Sequence, residues 1–425
     1  MKTSLWRIAI GRVSPVRSEY HGGARCGNFA RRDLCGGGRV TGRPTAMAFK
    51  DGTRSAMLTR RKFITTAAAT GLGATGVLTF HSFSKGSSEY EQAVKQVWRH
   101  GERGSSDAPA ILRELVRYAT LAPSSHNTQC WKFRLGDQSV SILPDYQRRC
   151  LIVDPDDHHL FVSLGCAAEN LVQAASAMGF RGDTLFNTGA NESLDISLVR
   201  ATEVRTPLFE AILRRQSTRG EFDAKPLSND ELGLLETAGS GNGVRVFLLT
   251  DKQAMENVLD FVVQGNTAQM RDPAFVRELK DWIRFNGRQA VRQGDGLFSG
   301  ASGNPSAPSW LGGLMFDFFF TENAENDKYA RHVRSSAGIA VFVSELEDKN
   351  HWIEAGRAFQ RFALQATAMD VRTAHLNQPV EVASLRPRFA KSIGISGGRP
   401  DLVIRFGRGP EMPRSLRRSV DAVII

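Results

Sequence analysis

This chain has few cysteines, few aromatic residues and, past its first stretch, no surplus of either charge. Its 425 residues include five cysteines, with no CxxC pair and no Cys/His ligand spacing, which excludes a disulfide-stapled scaffold and a zinc finger or ribbon. Cys26 and Cys35 lie in the leader, leaving Cys130, Cys150 and Cys166 as an odd set of core or surface thiols with room for one disulfide at most. Aromatics make up 8% of the residues and are not interleaved with basic ones, so the usual RNA-binding pattern is absent. The formal charge of +11 belongs to residues 1–62, which hold 14 Lys and Arg against 3 Asp and Glu. The remainder is neutral, and no nucleic-acid partner is expected.

The chain does have enough apolar residues, 41%, for one large domain or two ordinary ones. Residues 1–58 read as a Gly/Arg-rich leader without periodicity, and Met47 or Met57 would place the following motif more normally near a start. That motif is Thr59-Arg60-Arg61-Lys62-Phe63-Ile64-Thr65, followed by an uncharged run over 64–80. It matches a twin-arginine export signal over 59–85. The run is too short and too polar for a spanning helix, which wants roughly 20 apolar residues. The expectation is export through the Tat translocon to a periplasmic or other extracytoplasmic site. No clear A-x-A cleavage site follows Phe80, which leaves membrane tethering open.

The most informative stretch of the body is Ala122-Pro123-Ser124-Ser125-His126-Asn127-Thr128-Gln129-Cys130-Trp131. A proline-initiated polar turn between a helical run (110–121) and a strand-like run (131–135) is where a scaffold presents binding groups. His126 reads either as a polar contact to a bound ligand or as a surface histidine, with the second favoured because nothing in the sequence pairs it with an acid or base. Asp154, Asp156, His158 and His159 read as an acid-rich helix start, because no established metal-ligand spacing is matched.

A repeat follows. The segments 165–178 and 356–369 align without a gap, with Gly165/Gly356, Ala167/Ala358, Ala175/Ala366, Ala177/Ala368 and Met178/Met369 coinciding. Alternating runs flank each copy, at 140–143 and 194–199 in the first and at 339–343 and 402–406 in the second. Helical runs are expected at 207–215, 230–238, 254–270 and 273–285. Residues 286–313 are Gly/Ser/Pro-rich and read as a lid-like loop. The class is α+β, as a duplicated unit with antiparallel sheet flanked by helices: repeat 1 over 90–200 and repeat 2 over 201–425.

The second polar cluster is Arg214-Arg215-Gln216-Ser217-Thr218-Arg219-Gly220. In an extended segment Arg215, Ser217 and Arg219 fall on one side, a geometry suited to a phosphate dianion. Together the two clusters resemble the nitroreductase family of flavoproteins, whose RxSxR and APSxxNxQPW segments hold FMN from two subunits. Further pieces fit: the segment 146–159, the WxxAGRAxQ-like run from Trp352, and Pro-Asp-Leu-Val-Ile-Arg405-Phe-Gly-Arg-Gly409. Within the family the chain resembles the Acg-like tandem members, which carry the fold twice and often follow a twin-arginine leader. The turn has Cys130 where the family usually has proline.

The resemblance implies FMN, with NAD(P)H as a donor and a nitro or quinone-like small-molecule acceptor. It implies phosphate contacts from Arg215, Arg219, Arg414 and Arg417, and ribityl contacts from Ser217 and Ser124. Ser125 and Asn127 would meet the ring edge, Pro123 and Gln129 would belong to the same turn, and Asn377 and Gln378 would approach N5. No dedicated acid or base is required. Repeat 1 owns the serine turn but lacks RxSxR, and repeat 2 owns the arginines but has 239–244 where the turn should be. An internal pseudo-dimer with one FMN is therefore expected. The alternative is a flavin-sequestering protein without nicotinamide turnover, since NAD(P)H is scarce outside the cytoplasm.

Overall fold

The computed structural model describes residues 87–101, 107–189 and 192–425. The leader and the twin-arginine segment lie outside the described residues.

After a helix over 87–97, the first unit continues with α1 (Ala108–Thr120), where the Asp107 carboxylate accepts the Ala110 N–H and Pro109 sits in the first turn. It continues through β1 (Trp131–Leu135), β2 (Ser139–Pro144), α2 (His158–Ala177), β3 (Phe180–Asn187) and β4 (Ser193–Arg200). The second starts with α3 (Asn229–Ala238), opened by a capping box between Ser228 and Glu231. Next comes β5 (Val244–Leu249). An insertion then carries α4 (Lys252–Met270), the short strands β6 (Ile283–Arg284) and β7 (Leu297–Phe298), α5 (Ser309–Phe319) and α6 (Glu322–Arg334). The unit closes with β8 (Gly338–Ser344), α7 (Lys349–Ala368), β9 (Arg372–His375) and β10 (Arg399–Gly407).

Both four-stranded sheets are antiparallel and have the same order, β1-β2-β4-β3 and β5-β8-β10-β9. In each, the long helix lies between the second and third strands in sequence. The chain therefore folds as a duplicated α+β unit.

The two copies meet along α2 and α7. A Cβ on Gly165 would lie 2.0 Å from the Ile353 carbonyl oxygen, and one on Gly356 would lie 2.0 Å from that of Val162. Each carbonyl belongs to the residue three places before the partner glycine, so the contact is reciprocal about a pseudo-two-fold. Only a hydrogen fits between the helices at these points. Glu169 of α2 pairs with Arg357 (3.4 Å) and Arg361 (3.2 Å) of α7, and Gln360 donates to Asn170 at 2.6 Å. Among the described residues α2 is the one helix long and apolar enough to cross a membrane, and it is the buried centre of this core.

Three expectations change. Residues 286–313 are not an open lid, for they contain a helix at Gly287–Gln293, β7, a 3-10 turn and the start of α5. Glycine and proline there mark closely spaced turns between short elements. The second unit does not keep its own tail: Phe133 donates to the Val423 carbonyl at 2.8 Å and Ile425 to that of Phe133 at 2.9 Å, which adds a parallel segment beside β1. The helices expected over 207–215 and 273–285 stop earlier, at Pro207–Ala211 and Pro273–Asp281. Cys130, Cys150 and Cys166 are buried free thiols.

Candidate anion-binding cleft

The proline-serine turn is held in an unusual backbone shape. His126, Asn127 and Gln129 all have positive φ (45°, 54° and 54°), which non-glycine residues adopt at a cost of order 1–3 kcal/mol each. Neighbours hold the turn there. Gln129 N–H donates to Ser124 Oγ at 2.9 Å. The Asn127 amide donates to the carbonyls of Gly296 (2.9 Å) and Leu416 (3.2 Å). The Gln129 side chain donates to Gly294 O and accepts the Arg418 N–H. Asp295 in the same loop pairs with both Arg148 and Arg284, and Arg148 also donates to Thr128 O. The loop and the tail thus clamp the turn, and cysteine in place of proline at 130 leaves it fixed.

The second cluster lies across a cleft from this turn. Thr218 N–H donates to Thr373 O at 2.9 Å, which aligns the segment around Ser217 beside β9. The cleft, about 490 Å³ including its open mouth, is lined by Pro123, Ser124 and Asn127 from the first unit and by Arg215, Ser217, Arg219, Arg414 and Arg417 from 201 onward. Eight of the twelve sequence-nominated residues thus meet at one place.

The cations in this cleft divide by what their N–H groups do. Arg215 is 3% exposed, and its Nε and Nη1 have no partner among the described residues. Arg219 makes no hydrogen bond or ion pair among the described residues. Arg417, in contrast, spends its guanidinium on the carbonyls of Thr120, Leu121 and Ala122, capping the end of α1. Arg414 similarly holds the carbonyls of Leu213 and Arg214. None of the four pairs with a carboxylate among the described residues. Burial depresses all four, Arg215 to about 10 and Arg417 to about 9, with Arg219 and Arg414 also lowered. Buried guanidiniums without acids are costly unless an anion completes them, so the donor set fits a phosphate group.

Four nominated residues fall elsewhere. Ser125 does not line the cleft. Gln129 is consumed in the clamp described above, and Asn127, although at the wall, has both amide hydrogens taken by carbonyls. Asn377 is buried: its Oδ1 accepts the Val403 N–H, and its Nδ2 faces His159 Nε2 (3.3 Å) and His375 Nδ1 (3.5 Å). Gln378 begins a short helix, Gln378–Glu381, away from the cleft lining, and its Oε1 is buried without a hydrogen-bond partner among the described residues. Residues missed by sequence reasoning include Trp98, Gln216, Leu297 and Pro413 at the wall. Arg414 and Arg417 stack over the Trp98 ring at 4.9 and 5.0 Å. A lone tryptophan in a stretch without RxSxR gave no signal for this.

His126 is half-buried rather than a surface group, with Nδ1 3.4 Å from Cys150 Sγ. Burial, and then the charge of Arg219, lower its pKa to about 4; the same causes bring His375 to about 3. Asp154 accepts the backbone N–H groups of His159 and Leu160, as expected for a helix start. The neighbouring histidines are engaged at both ring nitrogens: His159 lies 3.3 Å from Asn377 through Nε2 and 3.4 Å from Asp154 through Nδ1, and His158 lies 3.5 Å from His159 through Nδ1 and 2.9 Å from Asp401 through Nε2. Asp154, His158 and His159 offer ligand atoms within 4.8 Å of one another.

No family model matches the chain. Two proteins of Mycobacterium tuberculosis are similar to it, both named "Putative NAD(P)H nitroreductase". One, Rv3131, is 25% identical over 324 residues, spanning 74% of this chain and 90% of its own. The other, acg, is 23% identical over 329 residues, spanning 74% and 95%. Among solved structures, an FMN-dependent nitroreductase from Mycobacterium smegmatis in complex with NADPH is 11% identical over 51% of this chain and 91% of its own, with a TM-score of 0.33. A nitroreductase with bound FMN from Bacteroides fragilis is 13% identical over 48% and 89%, with a TM-score of 0.30.

Proposed function

We propose that the chain is an FMN-dependent oxidoreductase of nitroreductase type, reducing nitro or quinone-like acceptors with NAD(P)H. The observation that carries this reading is the buried, unpartnered edge of Arg215 beside Arg219, facing Ser124 across the seam of two like units. The similarity to relatives named as NAD(P)H nitroreductases supports it, as does the tandem arrangement with complementary halves. One FMN per chain follows, because each unit supplies what the other lacks.

In this reading Arg215 and Arg219 donate to the phosphate, and Ser217 and Ser124 turn their hydroxyls toward the ribityl chain. The Ser124 oxygen already accepts from Gln129, which leaves its O–H free to donate. Arg414 and Arg417 add positive potential while their N–H groups stay on carbonyls. Bound FMN would supply the hydride and electron transfer itself, and the chain binds, orients and shields it. The Arg60-Arg61 motif and its uncharged run support export by the twin-arginine route, to the periplasm or another extracytoplasmic site, with membrane tethering open. A small-molecule acceptor, rather than a nucleic acid, is the partner.

The test is the full chain, purified and examined anaerobically. A yellow sample that releases FMN on heating and bleaches rapidly with NADPH supports the reductase. Bound FMN that NADPH leaves oxidised would point instead to sequestration. A colourless protein that takes up no FMN would sink both.

A further inference from the structure

We propose that Arg405 is a positioning residue for anion recognition that acts through Arg219, an inference that rests on the FMN reading above. Arg405 sits on β10 within the Pro400 to Gly409 motif, for which the cleft itself supplies no role. It is 1% exposed and pairs with no carboxylate among the described residues. Its Nη2 donates to Thr218 O at 2.9 Å and to Gly220 O at 2.7 Å, and Nη1 donates to His332 O at 3.4 Å. Its guanidinium stacks 4.1 Å from the Phe222 ring centroid.

The two gripped carbonyls flank Arg219. Both oxygens lie within hydrogen-bond reach of one nitrogen, so they converge on it, and holding both fixes the rotation of the residue between them. The long guanidinium side chain lets Nη2 hold both carbonyls while Nη1 reaches a third, whereas a lysine ammonium ends nearer its own backbone and has no second nitrogen. The side chain so aimed is the cation that makes no hydrogen bond of its own. Burying Arg405 near Arg219 adds like charge to the same region, which costs stability unless an anion is to be bound there. A mere space-filling role would be met equally well by an apolar side chain over Phe222. The grip therefore serves the cleft, by keeping Arg219 ready before the anion arrives.

The experiment compares FMN with riboflavin, which lacks the phosphate, in equilibrium binding to the full chain. The wild type is expected to prefer FMN strongly. R405K keeps the charge, but its shorter side chain with a single nitrogen cannot reproduce this three-carbonyl grip, so FMN should bind about tenfold more weakly, with riboflavin changing less than about threefold. In an R219Q background the same substitution should add less than about threefold to the loss of FMN affinity, since it acts through a side chain already removed. Equal losses for both ligands, an unchanged FMN affinity, or an undiminished effect in the R219Q background would each overturn the proposal. A second measurement needs no variant. Hydrogen exchange over 217–221 should be nearly as slow in the flavin-free chain as with FMN, and fast exchange that slows only on binding would also overturn it. A wild type with no preference for FMN over riboflavin would instead remove the FMN reading on which the proposal rests.

Discussion

The first unit joins β1 to β2 through residues 136–138, whereas the second places 250–337 between the matching strands β5 and β8. Strand order and the glycine-mediated helix contact are otherwise the same in both. The serine turn of the first unit is a strained, clamped structure, and the clamp comes from the second unit's insertion and tail: Gly294, Gly296, Leu416 and Arg418. At the equivalent place the second unit has only a tight turn before β5, with Gly241 and Gly243 at positive φ. Duplicated scaffolds can thus diverge completely at their sites while their shared core stays fixed. The core needs both copies alike, and a single cleft needs only one of each part.

Breaking the shared core should have the largest effect. Gly356→Ala sets a methyl group against the backbone of Val162, which cannot yield as a side chain can. A loss of about 3 kcal/mol or more is expected, at or beyond the upper end of ordinary overpacking, read by denaturant unfolding. Gly165→Ala should match it, and a marked difference between the two would break the symmetry claimed here.

Within the cleft the comparison sharpens. Arg215→Gln removes direct donors and should weaken FMN binding about 100-fold, the scale of charged hydrogen bonds at 1.5–3 kcal/mol. Arg414→Gln removes a cation whose N–H groups are engaged elsewhere, and should cost only about tenfold or less. Riboflavin binding should hardly respond to either. Equal effects would erase the division between direct and indirect cations.

A further expected effect concerns pH. His126 and His375 are held neutral in the fold, near pKa 4 and 3, against an unperturbed 6.5. Between these values the unfolded chain binds more protons than the folded one. Their contribution is thus fully present above pH 6.5 and lost as pH falls, by about 1–2 kcal/mol each between pH 7 and 5. Urea unfolding of the wild type and of the His375→Asn variant at the two pH values checks this. A variant with the same acid sensitivity as the wild type would contradict it.

Much of this was legible in the sequence. The repeat of small residues from Gly165 and Gly356 marked the helices that meet, because close approach leaves a compositional trace. The Arg215, Ser217, Arg219 alternation and the Pro123-Ser124 turn marked the cleft, because their side chains carry the chemistry. What escaped has physical reasons. Asn127 and Gln129 look like ligand groups by type, but their amides satisfy backbone carbonyls from segments more than 160 residues away. Arg417 looks like a phosphate hand, but it caps a helix end that only the folded tail reaches. The strands β3, β5 and β9 and the helices α5 and α6 were missed because their local patterns are weak or, in α5, apolar on an exposed face, with Trp310 and Phe318 at the surface.

The central claim is that two unlike halves build one site, and the most direct measurement is calorimetric titration of the full, flavin-free chain with FMN. A stoichiometry near one is predicted, with Arg215→Gln from the second unit and Ser124→Ala from the first each weakening that same single binding event. Two binding events per chain, or a variant in one unit that leaves half of the binding intact, would contradict it.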